Sequence, residues 1–141
     1  MSIMSYINLP PTPSQGGLLP YWLLFTAAAS VYNTGQAYFA SWQSREVYSG
    51  KATEMTPLAS RLFGTWTLLA AAIRFRAAYD ISSPAMYDLV MAKFAIATIH
   101  FWSEMLIFGS VKLNRASIGP LVIGTGSLVW CLTQRNYYLG L

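Results

Sequence analysis

The chain has 141 residues and a formal net charge of +4, with 55% hydrophobic, 15% aromatic and 10% charged residues. A soluble domain carries about 25% charged residues, so the composition excludes an ordinary soluble domain and points to a membrane protein. One cysteine, Cys131, and one histidine, His100, exclude an internal disulfide, a zinc site of three or four such ligands and a histidine-rich di-iron site.

Residues 1–17 hold Pro10, Pro11, Pro13, Gly16 and Gly17, with no basic residue and no sustained apolar run. They predict a flexible or extended leader, unlike a secretory signal. Residues 18–141 predict a single all-α domain, an integral membrane bundle of four transmembrane helices. The other four prolines, Pro20, Pro57, Pro84 and Pro120, each precede an apolar run. Proline suits a first helical turn, where its missing N–H costs nothing.

The spans are predicted at about 18–42, 57–79, 84–110 and 117–136, each near the roughly 20 residues that a crossing needs. Thr56 and Ser83 are the expected N-caps of the second and third, and Ser117 stands three residues before Pro120. In the first, "LLPYWLLFTAAASVY" is apolar on every side. The longest loop, about 43–56, carries Arg45, Glu46, Lys51 and Glu54. In the second, the stretch between Arg61 and Arg74 alone is too short for a hydrocarbon core of about 30 Å, but both arginines sit near the ends and can snorkel outward. Arg45, Lys51, Arg61, Lys112 and Arg115 fall on one side of the membrane, and Arg74, Arg76 and Arg135, with a snorkelling Lys93, on the other; the positive-inside rule favours the first side as cytosolic by a small margin that leaves the topology open. In the fourth, Cys131 reads as a small packing residue rather than a nucleophile.

Polar residues form stripes. In the third span, Lys93, Ala97, His100 and Glu104 share one narrow face. A lipid-facing charge near mid-bilayer costs roughly 2.5–3.5 kcal/mol on insertion scales, so this face should look inward. In the second span, Ser60, Gly64, Thr67, Ala71, Arg74 and Ala78 form a small-residue face that allows close helix approach. The first span offers Thr26, Ser30, Asn33 and Gln36, and the fourth Gly124, Gly126 and Ser127. Depth counted from the shared turn predicts an Arg61–Glu104 pair with His100 adjacent, and Arg74 pairing with Asp88 or Asp80. The plain reading of His100 and Glu104 is interhelical glue, worth about 0.6–2 kcal/mol per contact. For Trp22, Trp42, Trp66, Trp102 and Trp130 it is packing and interface anchoring.

Together, "NTGQAYF" (33–39), "RLFGTWTLLAAAIR" (61–74) and "HFWSEMLIFGS" (100–110) resemble the ergosterol biosynthetic protein 28 family, over roughly residues 30–135. The resemblance implies a multi-pass protein of the endoplasmic reticulum membrane. It implies a non-catalytic scaffold that tethers the sterol C-4 methyl oxidase, the decarboxylating C-3 sterol dehydrogenase and the 3-keto sterol reductase. Asn33, Thr34, Gln36, Arg61, Gly64 and Trp66 are positions of resemblance, as are Thr67, Arg74, His100, Ser103, Glu104 and Gly109; they are candidates for helix or partner contacts. No cofactor, metal or nucleic acid is expected. Membrane lipid or sterol is an expected contact, and a homodimer is open because several small-residue faces are displayed.

Two other classes fit the residues less well. One is an intramembrane sterol isomerase in which His100 and Glu104 shuttle a proton and Trp66 or Trp102 stabilises a carbocation. The other is a sterol-binding or transport protein whose polar path is lined by Lys93, His100 and Glu104. Turnover of a sterol by the purified chain alone would mark the isomerase, and a stripe that faces water inside the bundle rather than another helix would mark the binding or transport protein.

Overall fold

The structure is a computed structural model that describes residues 17–141. The predicted leader therefore lies outside the described residues except for Gly17. Among the described residues every regular element is helical. Helix α1 spans Leu19–Phe39, α2 Ser41–Val47, α3 Pro57–Ala78, α4 Pro84–Leu106 and α5 Arg115–Leu139, with a 3₁₀ segment at Ser49–Glu54 before α3.

Two of the expected caps form. Thr56 Oγ1 accepts from the Ala59 N–H at 3.1 Å, and Ser83 Oγ accepts from Met86 at 3.4 Å, each just ahead of an N-terminal proline. Four boundaries differ by two residues or more from the sequence expectation, among them the end of the last helix, which runs on to Leu139 rather than 136. The first helix stops at Phe39, because Ala40 leaves helical geometry (φ −141°, ψ 69°) and the chain restarts as α2. The third ends at Leu106 rather than 110: the Ser110 and Val111 N–H groups turn back to the Glu104 carbonyl, and Gly109 takes a left-handed φ of 70°. The fourth begins at Arg115, with Pro120 inside it. Here Asn114 is the cap. Its side chain accepts from the Ala116 and Ser117 N–H groups, while the Ser117 hydroxyl accepts from the Asn114 N–H. This reciprocal pair outcompetes a start at proline.

By length and composition, α4 and α5 are long and apolar enough to cross a membrane. Helices α1 and α3 have 21 and 22 residues, lengths that also suit a hydrocarbon core, but Arg61, Arg74 and Arg76 dilute the apolar character of α3.

The long helices alternate in direction and form two close pairs, α1 with α3 and α4 with α5, with a thinner contact between α3 and α4. At one end Leu19, Leu23, Tyr87, Phe94, Cys131 and Tyr138 are buried together. The Tyr138 hydroxyl accepts from the Leu19 N–H at 3.1 Å, and Tyr87 donates to the Cys131 carbonyl at 2.7 Å. At the other end Val47, Tyr48, Phe63, Phe101, Val111 and Leu121 pack together. Large apolar side chains such as Phe25, Leu69, Ile99 and Leu132 point outward, each at least 60% exposed. In water this outer surface would be costly; against acyl chains it is not.

Candidate functional site

His100 and Glu104 sit one turn apart near the C-terminal end of α4, and both are engaged by the connections that flank the bundle. The Tyr48 hydroxyl and His100 Nε2 hydrogen-bond at 2.7 Å. The Ser110 hydroxyl donates to Glu104 Oε2 at 2.5 Å. The Gly50 N–H donates to the Ser110 carbonyl at 2.9 Å, joining the α2–α3 connection to the α4–α5 connection. Asn114 completes this clasp by donating to the Glu46 carbonyl at 2.9 Å and to Ser49 Oγ at 3.1 Å. The approach is so tight that a Cβ on Gly50 would fall 2.1 Å from the Gly109 carbonyl oxygen. Ser103, also on α4, donates to the His100 carbonyl at 2.9 Å.

Aromatic rings surround the imidazole. Trp66 and Phe101 each lie 5.0 Å from it, centroid to centroid and edge-on, and Phe63 stacks its edge on Tyr48 at 5.5 Å. Tyr48 lies outside the long helices, in the α2–α3 connection. Burial there, and secondarily the negative charge of Glu104, push its hydroxyl well above the ordinary tyrosine range. It is therefore a neutral phenol at physiological pH, held as a hydrogen-bond partner.

The predicted Arg61–Glu104 pair does not form. Arg61 is exposed, and the ion pairs among the described residues are Arg76–Asp80 at 3.3 Å and Arg135–Asp88 at 2.8 Å. The small-residue face of α3 turns toward α1, which carries Arg61 off to the side; equal depth is not equal azimuth. The predicted partners of Arg74 are taken in the same way, Asp80 by Arg76 and Asp88 by Arg135. Arg74 does not snorkel outward as expected: it is buried and donates to Ser30 Oγ and to the Ala70 carbonyl, which claim its guanidinium inside the bundle.

The α1–α3 seam gathers most of the remaining candidates. The Thr34 hydroxyl donates to the Gly64 carbonyl at 3.0 Å and shares a hydrogen bond with Thr67 at 3.0 Å, while Asn33 donates to Thr67 at 3.4 Å. Ser60 donates to the Ala37 carbonyl at 2.6 Å. A Cβ on Gly64 would meet Ala37 Cβ at 2.9 Å, so glycine is what lets the two backbones approach. Gln36 is half-buried and its carbonyl accepts from Ala40 at the end of α1.

The polar stripe of α4 divides between two hollows. Lys93 and Ala97 line a central cavity of about 210 Å³, whereas His100 and Glu104 line an outer one of about 380 Å³ beneath the α2–α3 connection. Phe63 and Trp66 border both and form the wall between them. One continuous polar path along Lys93, His100 and Glu104 is thus interrupted by rings. Tyr48, Ser110 and Asn114 were not singled out from sequence. Tyr48 is 52 positions from His100, and no spacing rule links them; the one legible signal was the glycine and serine that follow the third helix.

The family model described as "Erg28 like protein" matches residues 19–129. The chain belongs to the Erg28 family. The protein named ergosterol biosynthetic protein 28 from Saccharomyces cerevisiae is 46% identical over 125 residues, 88% of this chain and 84% of that relative. The Candida albicans protein of the same name is 41% identical over 138 residues, 98% of this chain and 95% of its own length. A homolog from Homo sapiens is 29% identical over 121 residues, 85% of this chain and 86% of that relative. These names place the Erg28 relatives in ergosterol biosynthesis. The family match spans both the α1–α3 seam and the His100 clasp. No solved structure matches the chain.

Proposed function

We propose that this Erg28 family member is a non-catalytic scaffold of the endoplasmic reticulum membrane that holds the sterol C-4 methyl oxidase, the decarboxylating C-3 sterol dehydrogenase and the 3-keto sterol reductase together. In this reading all four long helices cross the bilayer, and their outward apolar faces meet lipid or partner helices. The observation that carries it is the engagement of His100 and Glu104: the imidazole is bound to Tyr48 and ringed by aromatics, and the carboxylate is bound to Ser110. Groups spent on clasping two connections are poorly placed to shuttle a proton on a sterol, which disfavours the isomerase. A tether works by effective concentration, since enzymes held together pass insoluble intermediates locally.

The test is gentle detergent purification of the tagged chain from its own membranes, with quantitative mass spectrometry of what comes along. Recovery of the three enzymes in near-stoichiometric amounts is expected. Intact, folded chain that brings none of them would defeat the scaffold reading.

A further inference from the structure

The central cavity lies between the two helix pairs, and its walls hold a charge imbalance. Arg74 enters from α3 and Lys93 from α4. Arg74 is only 5% exposed. Both cations rest on one ring: the Arg74 guanidinium carbon is 5.8 Å and Lys93 Nζ 3.8 Å from the Phe94 centroid. The five carboxylates of the chain are Glu46, Glu54, Asp80, Asp88 and Glu104, and none lines this cavity. Arg74 in the interior and the half-buried Lys93 beside it repel one another when both are charged, and both lose hydration. The Phe94 ring holds both, and Ser30 and the Ala70 carbonyl hold Arg74, but these neutral partners leave the net positive charge uncompensated, which an anion between the two would neutralise.

The remaining walls indicate what carries the anion. Phe63, Trp66 and Phe101 supply flat aromatic surface, Ser30 supplies a polar atom at Arg74, and Asn33 and Thr67 line the same space. The cavity is only partly enclosed. Helices α1 and α5 are pinned at one end by Trp22, which donates to Ser127 Oγ at 2.8 Å, and at the other through α2 and Asn114. Between the pins small residues face the space, Ala29 and Ser30 from α1 and Gly119 from α5. At about 210 Å³ the cavity is below the roughly 300 Å³ of a drug-sized pocket. It would take a compact head and leave the ligand's body between helices. A phospholipid, whose phosphodiester is followed by glycerol and two chains, is too bulky behind its charge. A planar carboxylate suits both the size and the guanidinium fork.

We propose that the central cavity binds the carboxylate of a rigid apolar amphiphile, a sterol carboxylic acid, between Arg74 and Lys93. The sterol body rests on the function proposed above, because a decarboxylating enzyme consumes a carboxylic acid; the carboxylate rests on the two cations alone. The chain would then hold an intermediate as well as the enzymes.

The test uses the full chain, purified without partners into nanodiscs of zwitterionic lipid, and equilibrium binding of a radiolabelled steroid carboxylic acid, with empty nanodiscs as background. The alcohol of the same skeleton and phosphatidic acid are the comparison ligands. Saturable binding of the acid is expected, with the alcohol at least tenfold weaker and phosphatidic acid unable to compete. Lys93→Met should weaken the acid at least tenfold and leave the alcohol unchanged, while its Tm without ligand stays equal to or above that of the parent, since a repelling charge is removed. Arg74→Lys, which keeps the charge but loses the planar fork, should also weaken the acid. Equal binding of acid and alcohol, undiminished binding by Lys93→Met, a fall in its ligand-free Tm, or competition by phosphatidic acid would overturn the proposal. If the three enzymes co-purify and the acid does not bind, the cavity assignment fails and the scaffold stands.

Discussion

Tyr48 and His100 meet only because two loops and a helix end converge, and their contact joins chemistry to stability. The Tyr48 phenol is pushed above its ordinary range by burial and by Glu104. A raised folded-state value means that its contribution is fully present below the unfolded tyrosine pKa of about 10 and is lost as pH rises beyond it. Thermal unfolding in detergent should therefore show a drop in Tm above about pH 10. Tyr48→Phe keeps the ring contacts but loses the hydroxyl, and should cost about 0.5–1.5 kcal/mol at neutral pH. Its alkaline drop should be smaller than that of the parent. An identical alkaline drop in both proteins would remove Tyr48 as its source. The sequence offered His100 and Glu104 as a pair of interest through their i, i+4 spacing, and that part was legible. Their partners were not, because hydrogen bonds to Tyr48 and Ser110 depend on where the loops land.

At the scale of elements, α1 and α3 act as a unit whose seam is set by small residues. Gly64 is the tightest point, with a hypothetical Cβ 2.9 Å from the rigid Ala37 Cβ. Gly64→Ala should therefore push the helices apart and cost about 1–3 kcal/mol, seen as a lower Tm and weaker retention of the fold in detergent. Gly126 of α5 is the control, since nothing lies within 4 Å of its added Cβ. Gly126→Ala should be neutral or stabilising by up to about 1 kcal/mol, because alanine restricts the unfolded chain and favours helix. Equal losses at both positions would refute the seam. The stripe of Ser60, Gly64, Thr67 and Arg74 was readable from the 3.6-residue period. That α1 rather than α4 covers it was not, and this choice is why Arg61 misses Glu104.

For the whole molecule, the alternation of α1, α3, α4 and α5 gathers the α2–α3 and α4–α5 connections at one end and the α3–α4 turn at the other. If all four helices cross, Glu54→Cys and Leu113→Cys should react with a membrane-impermeant maleimide from the same side of sealed vesicles, and Ser82→Cys from the opposite side. The native Cys131 is 0% exposed and should stay silent until the protein is denatured. Labelling of positions 54 and 113 from opposite sides would exclude this arrangement. The basic residues Arg45, Lys51, Arg61, Lys112 and Arg115 lie at the clasp end, so the positive-inside rule expects that end in the cytosol.

Composition, apolar run length and the placement of Pro57 and Pro84 after threonine and serine were enough to determine an all-helical chain with helices long and apolar enough to cross a membrane, and the starts of α3 and α4, because those features act within a turn or over a span. The end of α1 at Ala40, the start of α5 at Asn114, the Tyr48–His100 bond and the burial of Arg74 beside Lys93 were decided only by the tertiary structure. Each depends on which neighbour claims a polar group first. Asp80 and Asp88 are claimed by Arg76 and Arg135 at the rim, and the buried Arg74 and half-buried Lys93 are left facing one cavity.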